Sequence, residues 1–255
     1  MIDNNNSLLS RIRPVILAGG LGTRLRPRTN YLPKPLLPVN GRPILWYVLN
    51  SLQGYGMQPP IVIIDYKGEL IRSYFERDNV EFRSLPNRTM AEAILEIAEN
   101  DPSESFLGMS SDVLIPRKAI AEILKDYSEN GGKDTVLFAK LPKIGHKKWE
   151  FCVNSGYLDD IIIKKSKTPF ERVLLIMTRT SLQKVRDFLG NLVNEETIPE
   201  KLKSFQTGWI LILKSMISQQ VNVCARIIDI PVCNINVPAD FEDAELFVQE
   251  HLIKQ

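Results

Sequence analysis

The chain has 255 residues, of which 44% are hydrophobic and 24% are charged, and its net charge is +2. This composition is typical of a globular protein with a sizeable core, and no apolar run approaches the length of a membrane-spanning helix. Three widely spaced cysteines fit neither a disulfide framework nor a zinc site, and the polar N-terminus lacks the apolar core of a signal peptide, so we expect a cytoplasmic protein with no membrane partner.

Strand and helix patterns alternate through the first half of the chain. Apolar runs predict strands at 15–17, 61–64, 80–83 and 106–109, and periodic or capped segments predict helices at 43–53, 68–77, 89–100 and 117–128. Thr89, followed three residues later by Glu92, predicts a capping box. This alternation indicates an α/β fold, with a mostly parallel mixed sheet and helices on both of its faces.

The pattern changes after Gly131 and Gly132. Strands are predicted at 135–140, 151–154, 157–164, 209–213 and 226–230, and helices at 181–189 and 238–252. No repeat, low-complexity tract or linker divides the chain. We therefore predict one domain, residues 13–255, after a flexible tail of residues 1–12.

The first predicted strand runs into a glycine-rich turn. Gly19, Gly20 and Gly22 allow sharp turns and a close approach of the backbone to a ligand, and successive N–H groups of such a turn form an anion-binding concavity. Arg24 follows at once, and Lys34 lies between two prolines that stiffen its loop. This combination predicts a site for a polyphosphate.

The charge pattern around this turn supports an anionic ligand. No Asp or Glu occurs from Asn4 to Ile64, a stretch that contains Arg11, Arg13, Arg24, Arg26, Arg28, Lys34 and Arg42. Such a local positive potential attracts anions. No stripe of aromatic residues accompanies the cluster, which argues against nucleic acid as the ligand.

Two common phosphate-binding motifs are excluded by the spacing. The dinucleotide fingerprint needs a glycine where the chain has Leu25. The Walker loop ends in Gly-Lys-Ser/Thr, whereas Gly22 is followed by Thr23 and Arg24.

The segment of residues 15–45, called the signature segment below, resembles a known family. Its two motifs, L-A-G-G-L-G-T-R-L-R-P and P-K-P-L-L-P-V-N-G-R-P-I, are similar to those of the sugar-1-phosphate nucleotidyltransferases, and the second is worded most like the mannose-1-phosphate guanylyltransferases. The resemblance implies a Rossmann-like nucleotidyltransferase fold. It also implies attack of a sugar 1-phosphate on the α-phosphate of an NTP, of guanylyl- or thymidylyltransferase type, with release of pyrophosphate.

The resemblance assigns roles to residues of the first half of the chain. Arg24 would hold the departing β- and γ-phosphates, and Lys34 would act as a point charge between the α-phosphate and the attacking phosphate. With Asp112 they form the expected catalytic set. The remaining nucleotide-binding residues would be Leu17, Ala18, Gly19, Gly20, Gly22, Thr23 and Arg88, which makes residues 13–130 the nucleotide-binding half.

A polyphosphate reaction of this kind usually needs a hard cation, and we expect Mg²⁺. Asp112 follows a predicted strand and would lie, like the glycine turn, at the carboxyl edge of the sheet. The second ligand of the family is replaced by Asn234 or Asn236, and the sequence does not choose between them. A competing interpretation of Asn236 is that it caps the helix predicted from Pro238.

The acceptor half, residues 131–255, departs from the family pattern. Lys165 keeps the place of a phosphate-binding lysine, but the adjacent sugar-binding carboxylate is missing, and Arg88 replaces a glycine of the base-reading loop. We therefore expect an unusual acceptor, either a less common sugar 1-phosphate or another phosphomonoester. A nucleotide-binding regulatory subunit with impaired catalysis is the alternative, and a homo-oligomer is possible in either case.

Overall fold

The computed structural model describes residues 7–86, 88–140, 148–164, 170–194 and 209–253. The strands are β1 Ile12–Leu17, β2 Pro38–Val39, β3 Arg42–Pro43, β4 Ile61–Ile64, β5 Glu81–Ser84, β6 Ser105–Ser110, β7 Val113–Leu114, β8 Thr135–Lys140, β9 Lys148–Asn154, β10 Tyr157–Lys164, β11 Phe170–Thr178, β12 Cys224–Ile228 and β13 Cys233–Asn234. The helices are α1 Ile44–Ser51, α2 Gly68–Tyr74, α3 Met90–Asn100, α4 Arg117–Glu129, α5 Arg179–Asn194, α6 Trp209–Ser218 and α7 Asp240–His251.

The central sheet is mixed, as predicted. Within the described residues, nine strands follow the order β5-β4-β1-β6-β11-β8-β12-β10-β9. The first four are parallel to one another, β11 is antiparallel to both β6 and β8, and β12 is parallel to β8. Strand β10 is antiparallel to both of its neighbours, β12 and β9. The four adjacent parallel strands β5, β4, β1 and β6 all come from the first half of the chain, where strands and helices alternate.

Helices cover both faces of the sheet, which confirms the predicted layers. Ile12 and Ile16 of β1 belong to a buried cluster with residues of α1, α2 and α4. Val15 belongs to a second cluster, on the other face, with residues of α3, α5 and α6. A third cluster joins α7 to the signature segment through residues such as Phe241 and Leu25. Among the described residues, no helix is long and apolar enough to cross a membrane.

One prediction for the second half was wrong, and one strand was missed. The strand expected at 209–213 is the start of α6, whose buried residues Trp209, Ile212, Leu213 and Met216 follow helical spacing. A short apolar run does not by itself distinguish a strand from a buried helix. Strand β11 was not predicted at all, although it is inserted antiparallel between β6 and β8.

Several element boundaries also differ from the expected ones. Strand β1 begins at Ile12 rather than at residue 15, and β12 covers Cys224–Ile228 rather than 226–230. The two-residue strands β2 with β3, and β7 with β13, form small antiparallel pairs that no periodic pattern indicates. The second of these pairs matters for function because it places the segment before α7 beside the end of β6.

Candidate active site

Two glycines of the turn after β1 differ in their surroundings: Gly19 packs closely against Asp65, whereas Gly20 has open space beside it. A Cβ atom on Gly19 would lie 3.0 Å from the Cβ atom of Asp65, so a larger side chain would press on the end of β4. A Cβ atom on Gly20 would meet nothing within 4 Å in the described part of the chain. The Gly20 backbone is therefore open to a ligand at the carboxyl edge of the sheet, where ligands of open α/β sheets bind.

Gly22 is required by the conformation of the turn. Its φ angle of 61° lies in the left-handed region, and a Cβ atom there would lie 2.9 Å from Cγ2 of Thr29 and 3.3 Å from the Cβ atom of Lys34. The hydroxyl of Thr29 donates to the carbonyl of Gly22 at 3.0 Å. Gly22 precedes the short 3₁₀ helix Thr23–Leu25, so this turn sets the position of Arg24.

The loop after β4 supports the signature segment from one side. The hydroxyl of Tyr66 donates to the carbonyl of Thr29 at 3.0 Å. Nζ of Lys67 donates to the carbonyls of Asn30 at 2.7 Å and Tyr31 at 3.2 Å. Sequence analysis missed these supports, although their position directly after a predicted parallel strand was a usable signal.

Lys34 and Asp112 form an ion pair. Nζ of Lys34 lies 2.6 Å from Oδ2 of Asp112, and the two side chains are only 12% and 25% exposed. Parallel pairing puts Leu17 of β1 beside Ser110 of β6, and the Ser111 N–H donates to the Leu17 carbonyl at 3.1 Å. The two strand ends therefore bring these predicted catalytic residues together, although they are 78 residues apart in the chain.

Arg24 meets the segment before α7. Its Nη2 atom donates to Oδ1 of Asn236 at 2.8 Å. The N–H of Ile235 donates to the carbonyl of Asp112 at 3.0 Å, and Asn234 pairs with Val113 across the small sheet. The site is therefore assembled from the end of β1, the end of β6 and the segment before α7.

Asn236 does not cap α7, so that interpretation was wrong. The N-cap residue is Ala239, which makes no side-chain cap hydrogen bond, and the amide oxygen of Asn236 accepts from Arg24 instead. Of the two candidate asparagines, Asn236 is therefore the one whose side chain reaches the predicted phosphate-binding arginine. Asp240 lies in the first turn of α7.

The donor chemistry of the site fits Mg²⁺. This ion accepts one or two protein oxygens and completes an octahedral shell with waters and substrate phosphates. The Asp112 carboxylate and the Asn236 amide oxygen are such donors, each of which contacts a cationic side chain of the protein. Among the described residues, no cluster of three or more His, Cys, Asp or Glu side chains could hold a metal by itself. Phosphate oxygens of the substrate would therefore have to complete the shell.

Arg88 lies just before α3, and its side chain extends along that helix. Its Nε atom donates to Oε2 of Glu96 at 3.0 Å. The predicted capping box is present, since Oγ1 of Thr89 accepts the N–H of Glu92 at 3.2 Å and Glu92 accepts the N–H of Thr89 at 2.7 Å. The bond from the Thr89 N–H lowers the pKa of Glu92. Arg88 is thus not joined to Arg24 or Lys34 by a described contact, and Lys165 lies outside the described residues.

Two basic residues just before the signature segment form ion pairs within the protein. Arg13 is buried and ion-paired with Glu81 and Asp101, and Arg11 is 3.0 Å from Glu104. Acidic residues of later elements therefore offset part of the positive charge that the local sequence displays. Arg24 and Lys34 differ from these two residues because they contact Asn236 and Asp112, which are predicted residues of the site.

A family model described as "Nucleotidyl transferase" matches residues 13–151, more than half of the chain. The chain belongs to this family. The match covers the signature segment and Asp112, and it ends within β9.

Similar proteins agree with this assignment. Over 64 residues the chain is 47% identical to a "Probable glucose-1-phosphate cytidylyltransferase" of Bacillus subtilis, covering 25% of each chain. Over 173 residues it is 27% identical to a UTP–glucose-1-phosphate uridylyltransferase of Haloferax volcanii, covering 64% of this chain and 69% of that protein. The fold matches a CTP:phosphocholine cytidylyltransferase of Streptococcus pneumoniae with a TM-score of 0.70 at 18% identity, covering 93% of this chain and 99% of the other. The fold of this chain is therefore that of the nucleotidyltransferases.

Proposed function

We propose that this protein is a sugar-phosphate nucleotidyltransferase, which transfers NMP from an NTP to a sugar 1-phosphate and releases pyrophosphate. The observation that carries the proposal is the convergence of the Lys34–Asp112 and Arg24–Asn236 pairs at one edge of the sheet, beside the open backbone of Gly20. The names of the relatives support the same reaction class.

The reaction joins two anions, so charge neutralisation and positioning are the main tasks of the protein. The guanidinium of Arg24 has a rigid set of donors that suits two phosphate oxygens of the departing pyrophosphate. The ammonium of Lys34 would neutralise the α-phosphate as the acceptor phosphate approaches. The acceptor oxygen attacks phosphorus directly, so no covalent nucleophile of the protein is needed.

Asp112 and Asn236 would hold Mg²⁺ together with the phosphates of the NTP. The ion would supply positive charge to the phosphate oxygens during transfer. A neutral amide in place of a second carboxylate lowers the negative charge of the site, so we expect metal binding to depend strongly on the nucleotide.

The identity of the nucleotide base is the next part of the proposal. The family resemblance implies a guanylyl- or thymidylyltransferase type, and the second signature motif is most similar to that of the guanylyltransferases. The two relatives described above are instead named as a cytidylyl- and a uridylyltransferase. Arg88, in place of a glycine of the base-reading loop, adds a guanidinium and its ion pair with Glu96 to that part of the chain. We therefore expect one nucleotide to be preferred strongly, and the assay has to include all of them.

Pyrophosphate release is the direct test. The full chain is assayed with ATP, CTP, GTP, UTP and dTTP against several sugar 1-phosphates and phosphocholine, with Mg²⁺ present. Removing one hydrogen-bond donor that stabilises the charge of a transition state costs about 10²–10³ in rate, so Lys34→Ala, which removes a donor together with its charge, should lose at least that factor. Asp112→Asn should do the same and should raise the Mg²⁺ concentration required.

Lys184→Ala is the matched control for Lys34→Ala. This exposed lysine lies on α5, and α5 follows Thr178, which pairs with Ser105 at the end of β6 opposite to Asp112. The control should have wild-type activity. Nucleotide binding without turnover for every pair would favour a regulatory subunit, and full activity of Lys34→Ala and Asp112→Asn would refute the proposed site.

A further inference from the structure

The carboxylate of Asp240 is directed backwards along the chain rather than into its own helix. An acidic residue at a helix start commonly interacts with the N–H groups of that helix. Instead, Oδ2 of Asp240 accepts the backbone N–H of Asn236 at 2.6 Å and that of Val237 at 2.9 Å. Both donors precede the helix. One carboxylate oxygen therefore holds the backbone of the segment that approaches the candidate active site.

This segment provides the side chain that contacts Arg24. The amide oxygen of Asn236 accepts from the guanidinium at 2.8 Å, so the position of the Asn236 backbone affects where the guanidinium lies. Hydrogen bonds to a charged acceptor are about twice as strong as neutral ones, and Pro238 limits the backbone just after them. Asp240 is thus linked to Arg24 through one intermediate residue.

Helix α7 contacts the signature segment at two further points. The guanidinium of Arg28 lies 4.7 Å from the centre of the Phe241 ring. Nδ2 of Asn40 donates to the carbonyl of Glu245 at 2.8 Å. The start of α7 is therefore docked onto the segment that contains Arg24, and the Asp240 carboxylate lies at the point where helix and segment meet.

We infer that Asp240 is a positioning residue for the pyrophosphate part of the nucleotide, acting through Asn236 on Arg24; this inference rests on the proposed function. Asp240 does not contact the reacting atoms. Its carboxylate holds Asn236 in place, and Asn236 holds the guanidinium in one orientation before the phosphates arrive. A preorganised guanidinium loses less conformational freedom on binding, which strengthens the binding of pyrophosphate.

Calorimetric titration with pyrophosphate and Mg²⁺ tests this role without turnover. Asp240→Ala removes both hydrogen bonds to the segment and should weaken pyrophosphate binding about tenfold, the effect of losing one hydrogen bond between the Arg24 guanidinium and a charged phosphate oxygen. Asp240→Asn, which keeps one acceptor oxygen, should have an intermediate affinity. The control is Glu242→Ala, which removes a negative charge from the same helical turn at an exposed position. This control should stay within about twofold of wild type.

A double-mutant cycle separates positioning from a general structural effect. If Asp240 acts through Asn236 on Arg24, Asp240→Ala should weaken binding less than twofold further in the Asn236→Ala background and also in the Arg24→Ala background. Additive losses, or an equal loss in Glu242→Ala, would overturn the inference. If Asp240→Ala does not fold, Asp240→Asn takes its place in the same cycle. A wild-type chain that neither binds nor releases pyrophosphate would contradict the proposed function itself, whereas an active wild type with unaffected Asp240 variants would contradict only the positioning role.

Discussion

Replacing Gly20 with alanine should separate ligand binding from folding. The φ angle of Gly20 is not positive, and the new Cβ atom would meet nothing within 4 Å in the described residues. Alanine at such a position restricts the unfolded chain, which stabilises the protein by about 0.4–1 kcal/mol. The same methyl group would project from the backbone that the phosphates are expected to approach. Loss of one charge-assisted hydrogen bond, about 1.5–3 kcal/mol, weakens nucleotide binding roughly 10- to 100-fold.

Gly22→Ala is the contrasting variant in the same turn. Its left-handed φ costs a residue with a side chain about 1–2 kcal/mol, and the Cβ atom would press on Thr29 and Lys34. We therefore expect Gly22→Ala to lower the free energy of unfolding by about 2 kcal/mol and also to reduce activity, because Lys34 is displaced.

Urea unfolding and calorimetric titration with an NTP and Mg²⁺ measure the two effects separately. Wild-type nucleotide affinity in Gly20→Ala would refute the assignment of this backbone to the phosphates. A clear loss of stability in Gly20→Ala, or unchanged stability in Gly22→Ala, would refute the structural distinction between the two glycines.

Two further predictions concern stability. Thr89→Ala removes the cap of α3 and should lower the free energy of unfolding by about 1 kcal/mol in urea; an unchanged midpoint would contradict the capping role. Burial raises the pKa of Asp134 above its ordinary value of 3.8, although Ser181 and Thr178 donate hydrogen bonds to it. Between pH 3.8 and the raised pKa, Asp134 is protonated in the folded chain and ionised in the unfolded chain. The free energy of unfolding of the wild type, measured relative to that of Asp134→Asn, should therefore fall as the pH rises from 3.8 through the raised pKa. Urea unfolding over a pH series checks this, and a difference that does not vary with pH would contradict it.

The first half of the chain could be predicted well because its information is local. Parallel strands buried on both faces are continuous apolar runs, and capping and glycine signals mark where the intervening elements begin and end. The capping box of Thr89 and Glu92 is an interaction between residues three apart, and the structure contains it. The second half has no such alternation. Strand β11 lies antiparallel between β6 and β8. Its position depends on pairing with these two strands, and the residues of β11 alone do not indicate that pairing.

Helix α6 shows how tertiary packing decides an ambiguous run. The apolar residues from Trp209 suit a strand as well as a buried helix, and the helical spacing becomes evident only when Met216 is included. The ring of Trp209 packs against Gly108 of β6, where a Cβ atom would collide with it. Gly108 therefore interrupts the apolar pattern of β6 because its position must accommodate Trp209, which lies about a hundred residues later in the chain.

By itself, the sequence determined the glycine turn, the positions of Arg24 and Lys34 beside it and the family resemblance, because each is encoded within about thirty contiguous residues. Only the tertiary structure decided which distant groups these side chains meet. Asp112 reaches Lys34 because β1 and β6 are parallel neighbours, and Asn236 reaches Arg24 because β13 pairs with β7. Sheet pairing thereby brings together Lys34 with Asp112, 78 residues apart, and Arg24 with Asn236, 212 residues apart. Such long-range contacts cannot be predicted from the local periodicity of the sequence.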